Sequence, residues 1–353
     1  MKKNNAVDSL YRNTKKTKPL LIIIVLLLLA IVFFVVFSFV KVYRDANDLA
    51  NKEAEPFSDV AENAMPIHTP VSFSSEDESI QLEGWFFKRT TEAFRGNIIF
   101  VHNNRDNRIQ FNIEIADLYS FFMDEGFNVL AFDLRNCGRS GGQLSTYGYA
   151  EYQDIISAMQ QMYSLTGEKD FILYGVGSGT ATSILAWNKL SSSIENNNSD
   201  GNIDMTGDSI TKKDIIGLIL DTPAATADDF IRADLPDSTI FNRLITSKFV
   251  PTAIKAIAGY SGETNLIPMI TQFSNPVLIT RNLPNTKIDK NSIDAFIDER
   301  LRLQPSTTTV FETAEAGHLN GFNLDEENYL KQLNSFLDIW FPNLYTEEND
   351  ANS

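Results

Sequence analysis

Apolar and polar positions divide this chain into three regimes. Residues 20–40 are 21 consecutive positions, all apolar except Ser38. A helix of that length, at ~1.5 Å rise per residue, spans about 31 Å, enough for the hydrocarbon core of a bilayer. Residues 41–66 are mostly charged, polar or small and read as a stalk. From Val71 onward, short apolar runs alternate with helical patterns. Segments 71–74 and 80–87 flank S-E-D-E-S and predict a hairpin. Segments 97–101, 128–133, 171–174, 215–220, 276–280 and 307–311 are near-continuously apolar or β-branched, as strands buried on both faces are. Between them Tyr152, Ile155, Ile156, Met159 and Met162 share one helical face, as do Leu330, Leu333, Phe336, Leu337 and Trp340.

An antiparallel start followed by repeated strand–helix units predicts an α/β domain, a mostly parallel central sheet with helices on both faces. The expected organisation is a basic tail at 1–18, an anchor at 19–41, a stalk at 42–66, one α/β domain at 67–343 and an acidic tail at 344–353. Within the domain, the polar low-complexity stretch 191–213 predicts a flexible surface loop. Segment 225–273 carries short helical patterns between two strands and predicts a small helical cap.

Charge sets the orientation. Lys2, Lys3, Arg12, Lys15, Lys16 and Lys18 precede the apolar run against a single Asp8. The positive-inside bias puts that end in the cytoplasm and the α/β domain outside. A signal peptide usually has an apolar region of about 7–15 residues and a small-residue cleavage site. This run is longer and no such site follows closely, so an uncleaved single-pass anchor in the cell membrane is expected. Residues 41–353 hold 24 basic and 45 acidic residues, a balance of −21. That field disfavours nucleic acid and anionic lipid surfaces as partners. The lone Cys137 excludes an intrachain disulfide framework. No metal cluster, phosphate loop or nucleotide fingerprint appears, since G-V-G-S-G lacks the third glycine of G-x-G-x-x-G. No cofactor is expected.

The candidate chemistry lies at 171–180, F-I-L-Y-G-V-G-S-G-T, where an apolar run breaks into a glycine-rich turn and then a helix. That is the outline of the G-x-S-x-G elbow that lifts a reactive serine above a parallel sheet, but its centre here is Gly177. Other segments support the same architecture. They are I-Q-L-E-G-W-F-F (80–87), I-I-F-V-H-N-N-R-D-N-R (98–108), G-F-N-V-L-A-F-D-L-R-N-C-G-R-S-G-G (126–142) and A-G-H-L-N-G-F (316–322). Together they resemble the α/β-hydrolase superfamily, in particular its bacterial branches related to serine aminopeptidases, esterases and acyl-thioesterases. The 126–142 segment matches the family signature D-x-R-G-x-G-x-S-x-G except at Asn136.

The resemblance implies a nucleophile, a base, an acid and an oxyanion loop, and it locates each. Gly175 and Gly179 satisfy the small-residue flanks of the elbow only if Gly177 is the apex. Ser178 is then expected at the helix start, offering its backbone N–H to the pocket; as an alternative it is the nucleophile itself. His318 holds the base position. The acid position falls on Asn285, which lacks the charge that stabilises imidazolium; Asp221 and Asp289 are the alternative acids. In the oxyanion loop His102 is expected to be structural, and Asn103 stands where the family has glycine. Three departures on three catalytic elements (Asn103, Gly177 and Asn285) imply a pseudo-hydrolase whose pocket binds a small ligand or a protein. The alternative is an active esterase-, thioesterase- or peptidase-like enzyme using Ser178 and His318.

Overall fold

The computed structural model describes residues 4–57, 62–76, 79–192 and 209–342, with side chains from residue 20 onward. The expected acidic tail at 344–353 and most of the 191–213 loop lie outside these residues. Strands β1 (Thr69–Ser74), β2 (Gln81–Phe87), β3 (Gly96–Val101), β4 (Phe127–Phe132), β5 (Phe171–Val176), β6 (Ile215–Asp221), β7 (Val277–Asn282) and β8 (Thr308–Thr313) form one sheet. Its order is β1-β2-β4-β3-β5-β6-β7-β8. The pairs β1–β2 and β2–β4 are antiparallel and the others parallel. Each strand read from the sequence is present. The central runs are apolar throughout because alternate residues enter opposite cores. Ile99, Val101, Leu130 and Leu173 join one buried cluster, while Ile98, Phe100, Val129 and Ile172 join the other.

The longer described α-helices and those of the segment between β6 and β7 are α1 (Asn4–Ala50), α2 (Ile115–Asp124), α3 (Tyr152–Thr166), α4 (Ser178–Lys189), α5 (Ala227–Ala233), α6 (Ser247–Ile257), α7 (Leu266–Gln272), α8 (Lys290–Leu303) and α9 (Glu326–Trp340). On the second face, α2 contributes Ile115, Leu118, Tyr119 and Phe122, and α9 contributes Tyr329, Leu333, Phe336 and Leu337. The first face is covered by α3, α4 and α8. Helices α5, α6 and α7 stand between β6 and β7, in the place read as a cap.

Residues 42–57, within the segment read as a stalk, lie against the domain. The helix that carries the apolar run does not stop at its end but continues to Ala50. Val42, Ala46, Leu49 and Ala50 are buried, a stripe at i, i+4, i+7 and i+8 that faces the domain. Beyond the helix the Glu55 N–H donates to the Arg105 carbonyl at 2.7 Å. Phe57 packs edge-on to Trp85, and the Arg108 guanidinium lies 4.9 Å from its ring. The segment is a strap on the domain, held by apolar burial that its many charged neighbours conceal in the sequence.

Candidate functional site

At the C-terminal end of β5 the chain turns sharply into α4, and Gly177 is the turning point, with φ +55° and ψ −122°. This backbone state is one that L side chains rarely adopt. The flanking glycines are required by contact. A Cβ on Gly175 would lie 2.5 Å from the Gly179 carbonyl oxygen, and one on Gly179 would lie 2.2 Å from that of Val101. Gly177 thus stands at the apex of the turn, between the two glycines. A Cβ on Gly177 itself would meet the Asn103 Oδ1 at 2.5 Å and the Leu319 Cδ1 at 2.9 Å. The space above the apex is filled by the protein's own side chains.

Asn103 sits in the loop after β3, opposite the start of α4. Its Oδ1 accepts from the Ser178 backbone N–H at 3.1 Å and from the Ser178 hydroxyl at 3.1 Å. The Ser178 Oγ in turn accepts the Asn104 N–H at 2.7 Å. The Asn103 N–H is also engaged, donating to the Gln110 Oε1 at 2.6 Å. In serine hydrolases of this architecture the oxyanion donors are the N–H after the nucleophile and one from the loop after β3. Here every N–H at those positions already has an internal acceptor. The expected open donor at Ser178 is thus corrected: Asn103 lies across it, as a substrate carbonyl would. Ser178 is only 2 % exposed, and its hydroxyl is shared between Asn103 and Asn104.

His102 is held between two backbone groups. Its Nδ1–H donates to the Asn103 carbonyl at 2.7 Å, and its Nε2 accepts the Leu134 N–H at 2.9 Å. Full burial pushes its pKa down.

His318 follows β8 on a loop tied to the β7 loop by the Gly317 N–H to the Pro284 carbonyl and the Thr286 N–H to the Gly317 carbonyl. That pairing brings Asn285 beside the imidazole, with Nδ2 at 3.4 Å from Nδ1. The Asn285 Oδ1 accepts two backbone N–H groups, from Lys287 at 2.9 Å and Ile288 at 2.8 Å. Those donors fix the amide so that its NH₂ faces the ring. The His318 Nδ1 is then the acceptor, and Nε2 carries the proton in the neutral ring. A general base for serine needs the reverse tautomer, with Nδ1–H donating to a carboxylate. Burial pushes the His318 pKa down to about 4, the Lys287 ammonium adding to the effect and Asp234 opposing it.

Neither alternative acid reaches the imidazole by a hydrogen bond among the described residues. Asp289 caps α8, its Oδ1 accepting the Asn291 N–H at 2.8 Å. Asp221 is buried at the end of β6, bonded by the Thr222 hydroxyl at 2.9 Å and the Tyr329 hydroxyl at 3.2 Å. Its desolvation raises the pKa to about 6, moderated by those hydroxyls.

Two acidic residues of this region carried no signal in the sequence. Asp234, at the end of α5, pairs with Arg105 at 2.6 Å and accepts the Tyr147 hydroxyl at 2.8 Å. It joins the cap to the oxyanion loop and lends the site a negative charge. Asp106, in the same loop, accepts the Gln110 Nε2 at 2.7 Å. Burial lifts its pKa to about 7. These contacts join segments far apart in the chain, so no local spacing announces them.

No family model matches the sequence. The chain is 25% identical over 222 residues, 62% of its length, to the uncharacterized protein YqkD of Bacillus subtilis (strain 168). It spans 64% of that relative. Among solved structures, the Pyrococcus furiosus esterase Pf2001 is similar with a TM-score of 0.61 at 17% identity, over 82% of this chain and 99% of that one. The α/β-hydrolase GrgF from Penicillium sp. sh18 is similar with a TM-score of 0.54 at 15% identity, over 78% and 99% of the two chains. At such identities the likeness speaks to the fold. With the eight-stranded sheet and the elbow at β5, it makes this chain a protein of the α/β-hydrolase fold, preceded by one helix long and apolar enough to cross a membrane.

Proposed function

We propose that this chain is a single-pass membrane protein whose hydrolase fold has been kept for binding and no longer carries out serine-type acyl hydrolysis. The observation that carries the reading is the Asn103 side chain. Its Oδ1 lies 2.5 Å from where a nucleophile's Cβ would stand and takes the Ser178 N–H that would stabilise an oxyanion. A preorganised oxyanion site supplies much of the rate in acyl transfer, and here its donors are spent on the resting fold. Asn285 supports the same reading from the other side of the site by making the His318 Nδ1 an acceptor, which leaves the ring proton on Nε2.

The anchor would be the 20–40 run, with its basic flank in the cytoplasm and the α/β domain outside. Ligands would be a small molecule or a protein at the capped face of the sheet, where Arg105, Asp234 and Tyr147 meet.

A fluorophosphonate probe tests the chemistry on the full chain in detergent. The expected result is no covalent label on the native protein and none dependent on Ser178. Labelling that disappears in Ser178→Ala would overturn the proposal in favour of an active hydrolase.

A further inference from the structure

The cap carries a surface unlike the rest of the domain. Residues 240–258 contain Arg243, Lys248 and Lys255 and no acidic residue, within a region whose balance is −21. Ile240, Leu244 and Phe249 are large, apolar and exposed there. This surface faces the anchor. Phe241 stacks edge-on against Phe34 at 6.1 Å and Phe37 at 5.7 Å. Between α1 and α6 lies a groove of about 490 Å³, walled by Phe34, Phe39 and Val42 on one side and Ile245, Phe249 and Ala253 on the other. Ser38 borders it, and the Ser38 hydroxyl is shut off from solvent with no hydrogen-bond partner among the described residues.

Helix length decides at what depth this groove lies. If the cap stayed in water, only residues 20–33 would remain for the membrane, about 21 Å at ~1.5 Å per residue. A bilayer core needs ~30 Å. The run must therefore be embedded to near Val40, and Phe34 then sits about 9 Å below its end. Interfacial elements bury their apolar face to ~5–10 Å, which agrees.

Resting on the reading of residues 20–40 as a membrane anchor, we infer that the cap face formed by Phe241, Leu244 and Phe249 lies in the same leaflet, and that the groove between α1 and α6 holds an acyl chain of an anionic glycerophospholipid. The Ser38 hydroxyl meets the ester carbonyl, and Arg243 and Lys248 meet the headgroup phosphate. The groove is within the ~300–1,000 Å³ range of small-ligand sites. Arg243 and Lys248, close in the chain to the groove residues Ile245 and Phe249, oppose the acidic balance of the rest of the domain, so the attraction for anionic lipid is local.

The test uses the full chain in vesicles of phosphatidylcholine and phosphatidylglycerol. Cys137 is buried, so cysteines introduced singly at Leu27, Leu244, Phe249 and Ile339 take a nitroxide label alone. Labels at Leu27, Leu244 and Phe249 are expected to collide with oxygen and to be shielded from a water-soluble nickel chelate, and Ile339 to show the opposite. A phospholipid with a diazirine in its acyl chain is expected to crosslink within 245–256, and the yield to fall in Arg243→Glu/Lys248→Glu. Leu244 and Phe249 open to nickel while Leu27 is shielded would overturn the inference and leave the anchor standing. All positions open to nickel would overturn the anchor reading itself. Crosslinks confined to 20–40, or disulfide-linked dimers of Leu244→Cys, would replace the lipid with water or with a second copy.

Discussion

Putting a serine back at the apex tests the packing above Gly177 more sharply than any assay of turnover. Gly177→Ser forces an L residue into φ +55°, ψ −122°, a strain of ~1–3 kcal/mol. It also drives the new Cβ to within 2.5 Å of the Asn103 Oδ1, so that amide must leave. The two hydrogen bonds from Ser178 go with it, each worth ~0.5–1.5 kcal/mol. The total is roughly 2–6 kcal/mol, which for a domain of this size lowers the melting midpoint by roughly 5–15 °C. Asn103→Ala removes the amide before the serine arrives. The double variant should therefore cost less than the sum of the two single ones, by about 1–2 kcal/mol. Urea unfolding of the four proteins, followed by circular dichroism, measures that coupling. Additivity to within ~0.5 kcal/mol would mean that Asn103 does not occupy the apex, and the account of the filled oxyanion site would fail with it.

Other perturbations have equally definite outcomes. With its pKa pushed down to about 4, His318 stabilises the fold fully above the ordinary imidazole value of ~6.5, and this is lost as pH falls from there toward 4. The contribution is at most ~3 kcal/mol. A flat stability profile across that window, with His318→Gln as the control, would remove it. Asn285→Asp places a carboxylate against Nδ1; the His318 pKa should rise by ~1–3 units and the proton should move to Nδ1, both read from imidazole ¹⁵N shifts. An unmoved titration would show that Asn285 does not set the tautomer. Gly179→Ala, whose Cβ would sit 2.2 Å from the Val101 carbonyl, should cost at least ~3 kcal/mol or prevent folding, whereas Gly167→Ala, with open space around it, should cost only its left-handed strain of ~1–2 kcal/mol. Asp154 holds the buried Arg135 at 2.6 Å, so Asp154→Ala should destabilise by ~3–5 kcal/mol in the same unfolding assay.

The strands were legible because burial on both faces leaves a plain signature, and the elbow because its glycines are dictated by backbone contacts at Gly175 and Gly179. Asn136 shows the same logic in a departure. The family signature has glycine there, the residue stands at φ +58°, and asparagine is the side chain that best tolerates that state. Resemblance to the family put Asn285 in the acid position, and in the structure it lies beside His318. The role of Asn103 was only half visible. Its Cβ suggested a narrowed approach, but the contact that matters joins it to Ser178 across 75 residues, and no spacing rule spans that distance. The buried stripe Val42, Ala46, Leu49 and Ala50 did have helical spacing, yet the charged residues between outweighed it in a reading by composition.

That stripe changes what the N-terminal helix is mechanically. A flexible stalk would let the domain turn freely and decouple it from the bilayer. Here α1 enters the core without a break, so helix and domain move as one lever. When a bilayer thickens or thins, an apolar helix adapts by tilting. If α1 is the anchor proposed above, its tilt swings the whole domain and changes the angle that the elbow at Gly177 presents to the membrane plane. The thickness of the lipid around such an anchor would thereby be written into the orientation of the site.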